Sequence, residues 1–97
     1  MEDLIVQAIN QKKLIEFTYQ GRPRTAEPHV LGITNGIKQV LCYQTGGHSS
    51  RGNLPDWRRF DLHQIVGLRI LDATFPGKRA YPSGRHSSFD RRIAIVQ

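Results

Sequence analysis

The stretch Trp57-Arg58-Arg59-Phe60-Asp61-Leu62 alternates in the manner of a β-strand, in which successive side chains point to opposite faces. Phe60 and Leu62 share the face expected to be buried, and Arg58 lies on that face with them. Arg59 goes to the other face with Trp57 and Asp61. The same count puts Arg24 with Ala26 and Pro28, and Tyr19 with Ile15 and Phe17. Three fates are open to an arginine on an inward face. Its head can reach water past a buried stem. It can pair with an internal carboxylate such as Glu16 or Glu27, because an unpaired buried guanidinium is costly. Or, with a tyrosine beside it at the mouth of a barrel, it can hold an anion or stack a base.

Other chemistries find less support. The four histidines, His29, His48, His63 and His86, show no paired ligand spacing, so no metal site is expected. Cys42 lies mid-strand between Leu41 and Tyr43 and reads as a small buried hydrophobe. Glycine-rich nucleotide fingerprints and a Gly-x-Ser-x-Gly elbow are missing from the sequence, and nothing in it pairs two carboxylates. An enzyme is not expected, and no cofactor is implied. His-Ser-Ser occurs twice, at 48–50 and 86–88, each time near glycine and arginine. Such loops can form anion-binding nests, but two flexible surface loops are the preferred reading.

The elements that must position these residues follow from periodicity. Leu4, Ile5, Ala8 and Ile9 form one stripe of a helix over 2–13, with Glu2 and Asp3 at the favourable end of its dipole. Period two then takes over, predicting strands at 14–20, 24–28, 29–34, 37–45, 57–62 and 68–75. Pro28 ends the second strand or bends it ahead of the third, and Asn35-Gly36 is a strong hairpin signal. The 37–45 strand is apolar on both faces, Val40 and Cys42 against Ile37, Leu41 and Tyr43, which suits a central strand. A helix followed by five or six short antiparallel strands predicts a mostly β, α+β fold, a small SH3-like or Sm-like barrel over residues 1–75. Residues 76–97, rich in Pro, Gly, Ser and charge, read as a basic C-terminal arm, with Ile93–Gln97 as a terminal strand that can add to an edge.

Composition sets the outer bounds. Ninety-seven residues make one domain with a modest core. The single cysteine and the absence of a long apolar run or basic leader point to a cytoplasmic protein without a membrane span. The formal charge is +6, from 14 Lys+Arg and 8 Asp+Glu. Much of the excess is C-terminal, where Lys78, Arg79, Arg85, Arg91 and Arg92 face only Asp90. A basic balance favours an anionic partner, with nucleic acid the commonest, or it simply solubilises the surface.

Taken in order, Ala8-Ile9, then Ile15-x-Phe17-x-Tyr19, then Arg24-x-Ala26-x-Pro28, then Arg58-x-Phe60-x-Leu62 followed by Ile65, resemble the WYL domain of bacterial regulators from about Ile5 to Phe75. The signature itself is degenerate. Lys38, Gln39 and Val40 stand where the family has Trp-Tyr-Leu, although Tyr43 is kept. The resemblance implies an Sm-like barrel that senses ligands rather than a catalyst. It implies binding of single-stranded nucleic acid or a nucleotide-like anion, and regulation of transcription in DNA-damage or phage-defence responses. WYL domains usually follow a DNA-reading domain, so this chain is expected to stand alone or to act in trans on a regulatory protein. On this reading Arg58, Arg24 and Tyr19 line the ligand site and Tyr43 supports it, with Lys38, Arg59 and Arg51 adding contacts. The alternative is a protein–protein interaction or homo-oligomerisation module that uses edge strands and the C-terminal arm.

Overall fold

The computed structural model describes residues 1–47, 54–80 and 88–97. A helix, α1 (Glu2–Gln11), leads into β1 (Lys13–Tyr19), β2 (Arg22–Thr34), β3 (Ile37–Gly47) and β4 (Asp56–Asp61). A 3₁₀ turn (Leu62–Gln64) follows, then β5 (Ile65–Thr74) and β6 (Arg91–Ile95). All strand pairs are antiparallel, in the order β4-β3-β2-β1-β5, with β6 on β2. The mostly β, α+β barrel-like fold expected from the periodicities is the fold observed. The helix is shorter than its predicted 2–13, because Lys12 turns left-handed (φ 55°) and caps it. Ile5, Ala8 and Ile9 are buried as the stripe requires, whereas Leu4 is exposed at its margin.

Two tight turns set the registers. Tyr19 pairs with Arg22 and Thr34 with Ile37, so Gln20-Gly21 and Asn35-Gly36 are two-residue hairpin loops. All four of these loop residues have positive φ, the conformation that matches strand twist. Of the two expectations for Pro28, the strand bends rather than ends: β2 runs through it as one 13-residue strand. Arg22–Ala26 pair with β1 and Val30–Ile33 pair with β6, so β2 changes neighbours on that edge around Pro28. A proline lacks an N–H to donate, and here it falls where neither neighbour is paired to it on that edge. The β2–β3 register also shifts between Pro28 and Val30, and such a bulge bends a strand.

The bend curls the sheet around one core. Ile15, Phe17 and Tyr19 of β1 point into it, with Val40 and Cys42 of β3, Phe60 of β4 and the buried stripe of α1. Phe60 meets Phe17 and Tyr19 edge-on, at centroid distances of 4.9 and 4.8 Å, although β4 and β1 are separated by two strands. The Tyr19 hydroxyl accepts a hydrogen bond from the Asp61 N–H at 3.0 Å, fastening β1 to the end of β4.

The opposite face of β2, β3 and β4 carries a second, smaller core of Val30, Leu41 and Trp57, packed by Tyr43 and Phe89. This explains why β3 is apolar on both faces. The described part of the C-terminal arm is docked: Arg79 reaches Glu27, Phe89 packs on the second core, and β6 takes the β2 edge. Gly32 makes room for it. A Cβ there would lie 2.6 Å from both the Phe89 ring and the Arg91 carbonyl oxygen. Gly32→Ala should therefore cost about 1–3 kcal/mol through overpacking. Thermal denaturation should show a midpoint at least about 4 °C lower. An unchanged midpoint would mean that Phe89 does not sit on β2.

Candidate functional site

β4 carries Arg58 and Phe60 into the barrel on one face, and Arg58 is nine-tenths covered. Its partner is neither Glu16 nor Glu27. Arg58 Nη1 donates to the carboxylate of Asp56, two residues earlier on the same strand, and to the Trp57 carbonyl oxygen at 3.0 Å. Glu16 instead pairs with exposed Arg69 at 2.7 Å, and Glu27 pairs with Arg79.

Arg24 sits nearby on β2 and is 4% exposed. Its guanidinium carbon lies 5.7 Å from the Tyr19 ring centroid and 5.6 Å from that of Phe60. Nη1 donates to Gln44 Oε1 at 3.4 Å and Nη2 to the Tyr19 carbonyl oxygen at 3.3 Å, both long contacts to neutral acceptors. Nε is buried without a hydrogen bond among the described residues. Gln44, fully buried, is held by its own bond to the Gly46 carbonyl at 3.1 Å. Gly47, paired with Arg24, has φ of 83°, and a Cβ on it would lie 2.3 Å from the Pro23 carbonyl oxygen. The close approach of β3 to this arginine thus requires glycine. Burial first, then the charges of Arg22 and Arg58, hold the Arg24 guanidinium below its usual value. The site therefore gathers Arg24, Arg58 and Tyr19, with cations crowded at one end of the barrel and Asp56 ion-paired to one of them.

The other expected contacts lie elsewhere. Lys38, exposed, pairs with Glu2 at 2.6 Å. Arg59 stacks on Phe89 at 4.0 Å and bonds the Ser88 carbonyl oxygen at 2.6 Å, with Thr34 and Gln39 each at 3.3 Å. It fastens the C-terminal segment as well as carrying surface charge. Tyr43 leans on Trp57 at 5.1 Å beneath the Arg79 guanidinium at 4.7 Å. Arg51 and the first His-Ser-Ser lie outside the described residues, as do His86 and Ser87 of the second. Cys42 is fully buried, and burial pushes its thiol above the ordinary range, so it is poorly disposed to act as a nucleophile. Among the described residues no group of three or more His, Cys, Asp or Glu could hold a metal, and no helix is long and apolar enough to cross a membrane.

One polar cluster escaped the sequence reading. Glu27 and His29 flank Pro28 and are both buried. His29 Nε2 and Glu27 Oε1 are 3.1 Å apart, and Arg79 grips the Glu27 carboxylate through Nε and Nη2 at 2.7 and 2.8 Å. The signal was a Glu and a His inside an apolar strand; the partner was hidden 52 residues away. Burial pushes the Glu27 carboxyl up, but the hydrogen bonds from Arg79 and His29 outweigh it and leave a net lowering. His29 is held below its ordinary 6.5, chiefly by burial, with the Glu27 hydrogen bond opposing. Both folded values lie below their unfolded ones. Stability from His29 is thus fully present above about pH 6.5 and is lost as pH falls toward its folded value. Glu27 adds a further loss below about pH 4.5. Between pH 7 and 5 the melting temperature should fall more steeply for the native protein than for His29→Gln; equal slopes would place His29 elsewhere.

Comparison of the chain with models of known protein families, with curated proteins and with solved structures found no match.

Proposed function

We propose that the chain is a non-catalytic sensing module similar to a WYL domain, binding a phosphate-bearing ligand at Arg24, Arg58 and Tyr19. The ligand class is single-stranded nucleic acid or a nucleotide-like anion. The output is regulation of transcription in a defence or DNA-damage response, exerted in the cytoplasm on a regulatory protein in trans. The observation that carries this reading is Arg24. A buried guanidinium with long bonds to neutral acceptors, an idle Nε and like charges beside it is electrostatically under-satisfied. An incoming phosphate supplies the missing negative charge, and Tyr19 lies beside the cation to support it.

A second reading, an interaction or oligomerisation module, draws on exposed Met1, Leu4, Ile37 and Val66. It gains less from the terminal strand, because β6 pairs with this chain's own β2.

Fluorescence anisotropy with a short labelled oligothymidylate separates the two. Affinity should fall with added salt as counterions are released. Arg58→Ala should weaken binding about tenfold, the order expected for one charge-assisted contact. Arg69→Ala, which removes an exposed cation, should change it less than about twofold. Equal effects of the two substitutions would leave only diffuse surface attraction.

A further inference from the structure

A pocket of about 510 Å³ lies between the sheet and the start of the C-terminal segment, lined by Tyr43, Asp56 and Trp57 on one side and Pro76, Lys78 and Arg79 on the other. Neither Arg24, Arg58 nor Tyr19 lines it; Asp56, which ion-pairs Arg58, is the link between the two places. We infer that this pocket is a separate binding site for a small planar anion, an aromatic ring carrying a phosphate or a carboxylate.

The pocket's chemistry selects such a ligand at both ends. Trp57 and Tyr43, with centroids 5.1 Å apart and planes inclined at 55°, form an aromatic corner, and prolines stand on either flank. Aromatic rings and proline faces favour a flat apolar group. Lys78 and Arg79 supply the charge. Arg79 commits Nε and Nη2 to buried Glu27, while Nη1 makes no hydrogen bond among the described residues. That forked grip, together with the stack on Tyr43, fixes the guanidinium plane before any ligand arrives. Little side-chain freedom then remains to be lost on binding. Lys78 is exposed, and its ammonium makes no ion pair among the described residues. Asp56 would oppose an anion, but its carboxylate is engaged by Arg58. A cationic ligand would meet Lys78 and Arg79 together and is disfavoured. The walls come from both the sheet and the C-terminal segment, so an occupant touching both fastens the segment and stabilises the fold by linkage.

Trp57 is the chain's single tryptophan and lines the pocket, so its fluorescence reports occupancy directly. Phenyl phosphate and benzoate are the probes; inorganic phosphate, acetate and benzyl alcohol test charge without ring and ring without charge. At least one aromatic anion should give a saturable change in Trp57 emission with a Kd at least about tenfold below every control, the worth of one charged contact. Phenyl phosphate the tighter identifies a phosphate ligand; benzoate the tighter identifies a carboxylate. Lys78→Ala, at an exposed position, should melt as the native protein does and raise the Kd about tenfold. Two results would overturn the inference. One is no saturable change with either aromatic anion up to about 10 mM, beyond the weak end of specific binding. The other is a Kd matched by benzyl alcohol or unmoved by Lys78→Ala.

Discussion

The architecture hangs on β2, which must be paired along both edges although its neighbour on one side ends halfway. β1 serves Arg22 to Ala26 and β6 serves Val30 to Ile33, while β3 runs beside nearly the whole strand. Pro28 stands at the exchange, where a missing N–H costs nothing on that edge. The bulge there bends β2, and the bend lets Phe60 of β4 close on Phe17 and Tyr19 of β1. Without β6 the second half of β2 would present unpaired backbone groups on that edge. The described part of the C-terminal segment is therefore part of the fold, and its Arg79 neutralises buried Glu27.

Two buried charge arrangements lie on opposite faces of the sheet, and they are built differently. Glu27 is closed: a forked arginine and a histidine satisfy it with short bonds, which is how a folded protein tolerates an interior carboxylate. Arg24 is open: its acceptors are neutral and distant, one donor is idle, and like charges crowd it. Burying a cation so poorly matched sacrifices stability unless a ligand completes it. The contrast between a charge satisfied within the chain and one left short is the physical basis for the ligand site proposed at the barrel end.

Much of the fold was legible in the sequence, because period-two alternation and an Asn-Gly turn are local signals. Arg58 was assigned to the inward face with Phe60 for the same reason. What could not be read depended on partners distant in sequence. Whether Pro28 ended or bent its strand was open, since the β1-to-β6 exchange that tolerates it involves a strand more than 60 residues on. Glu27 was a candidate partner for Arg58 because Arg79, which it pairs with, sits beyond four intervening elements. The terminal strand of the arm was legible and does add to an edge, but the fit of Gly32 and Phe89 across the sheet was not. Asp56, the Arg58 partner, falls one residue before the strand predicted over 57–62, so periodicity gave it no face, whereas β4 in fact begins at Asp56.

Arg24 and Arg58 must meet an anion directly if the barrel end is the ligand site. Arginine Nε–H resonances, observed by ¹⁵N-edited NMR during titration with a short oligothymidylate, read that contact at the atom concerned. Direct contact should shift the Arg24 and Arg58 Nε–H signals saturably with a common Kd, while the exposed Arg69 signal stays in place. Shifts confined to Arg69 and other exposed arginines, with Arg24 and Arg58 unmoved, would contradict it.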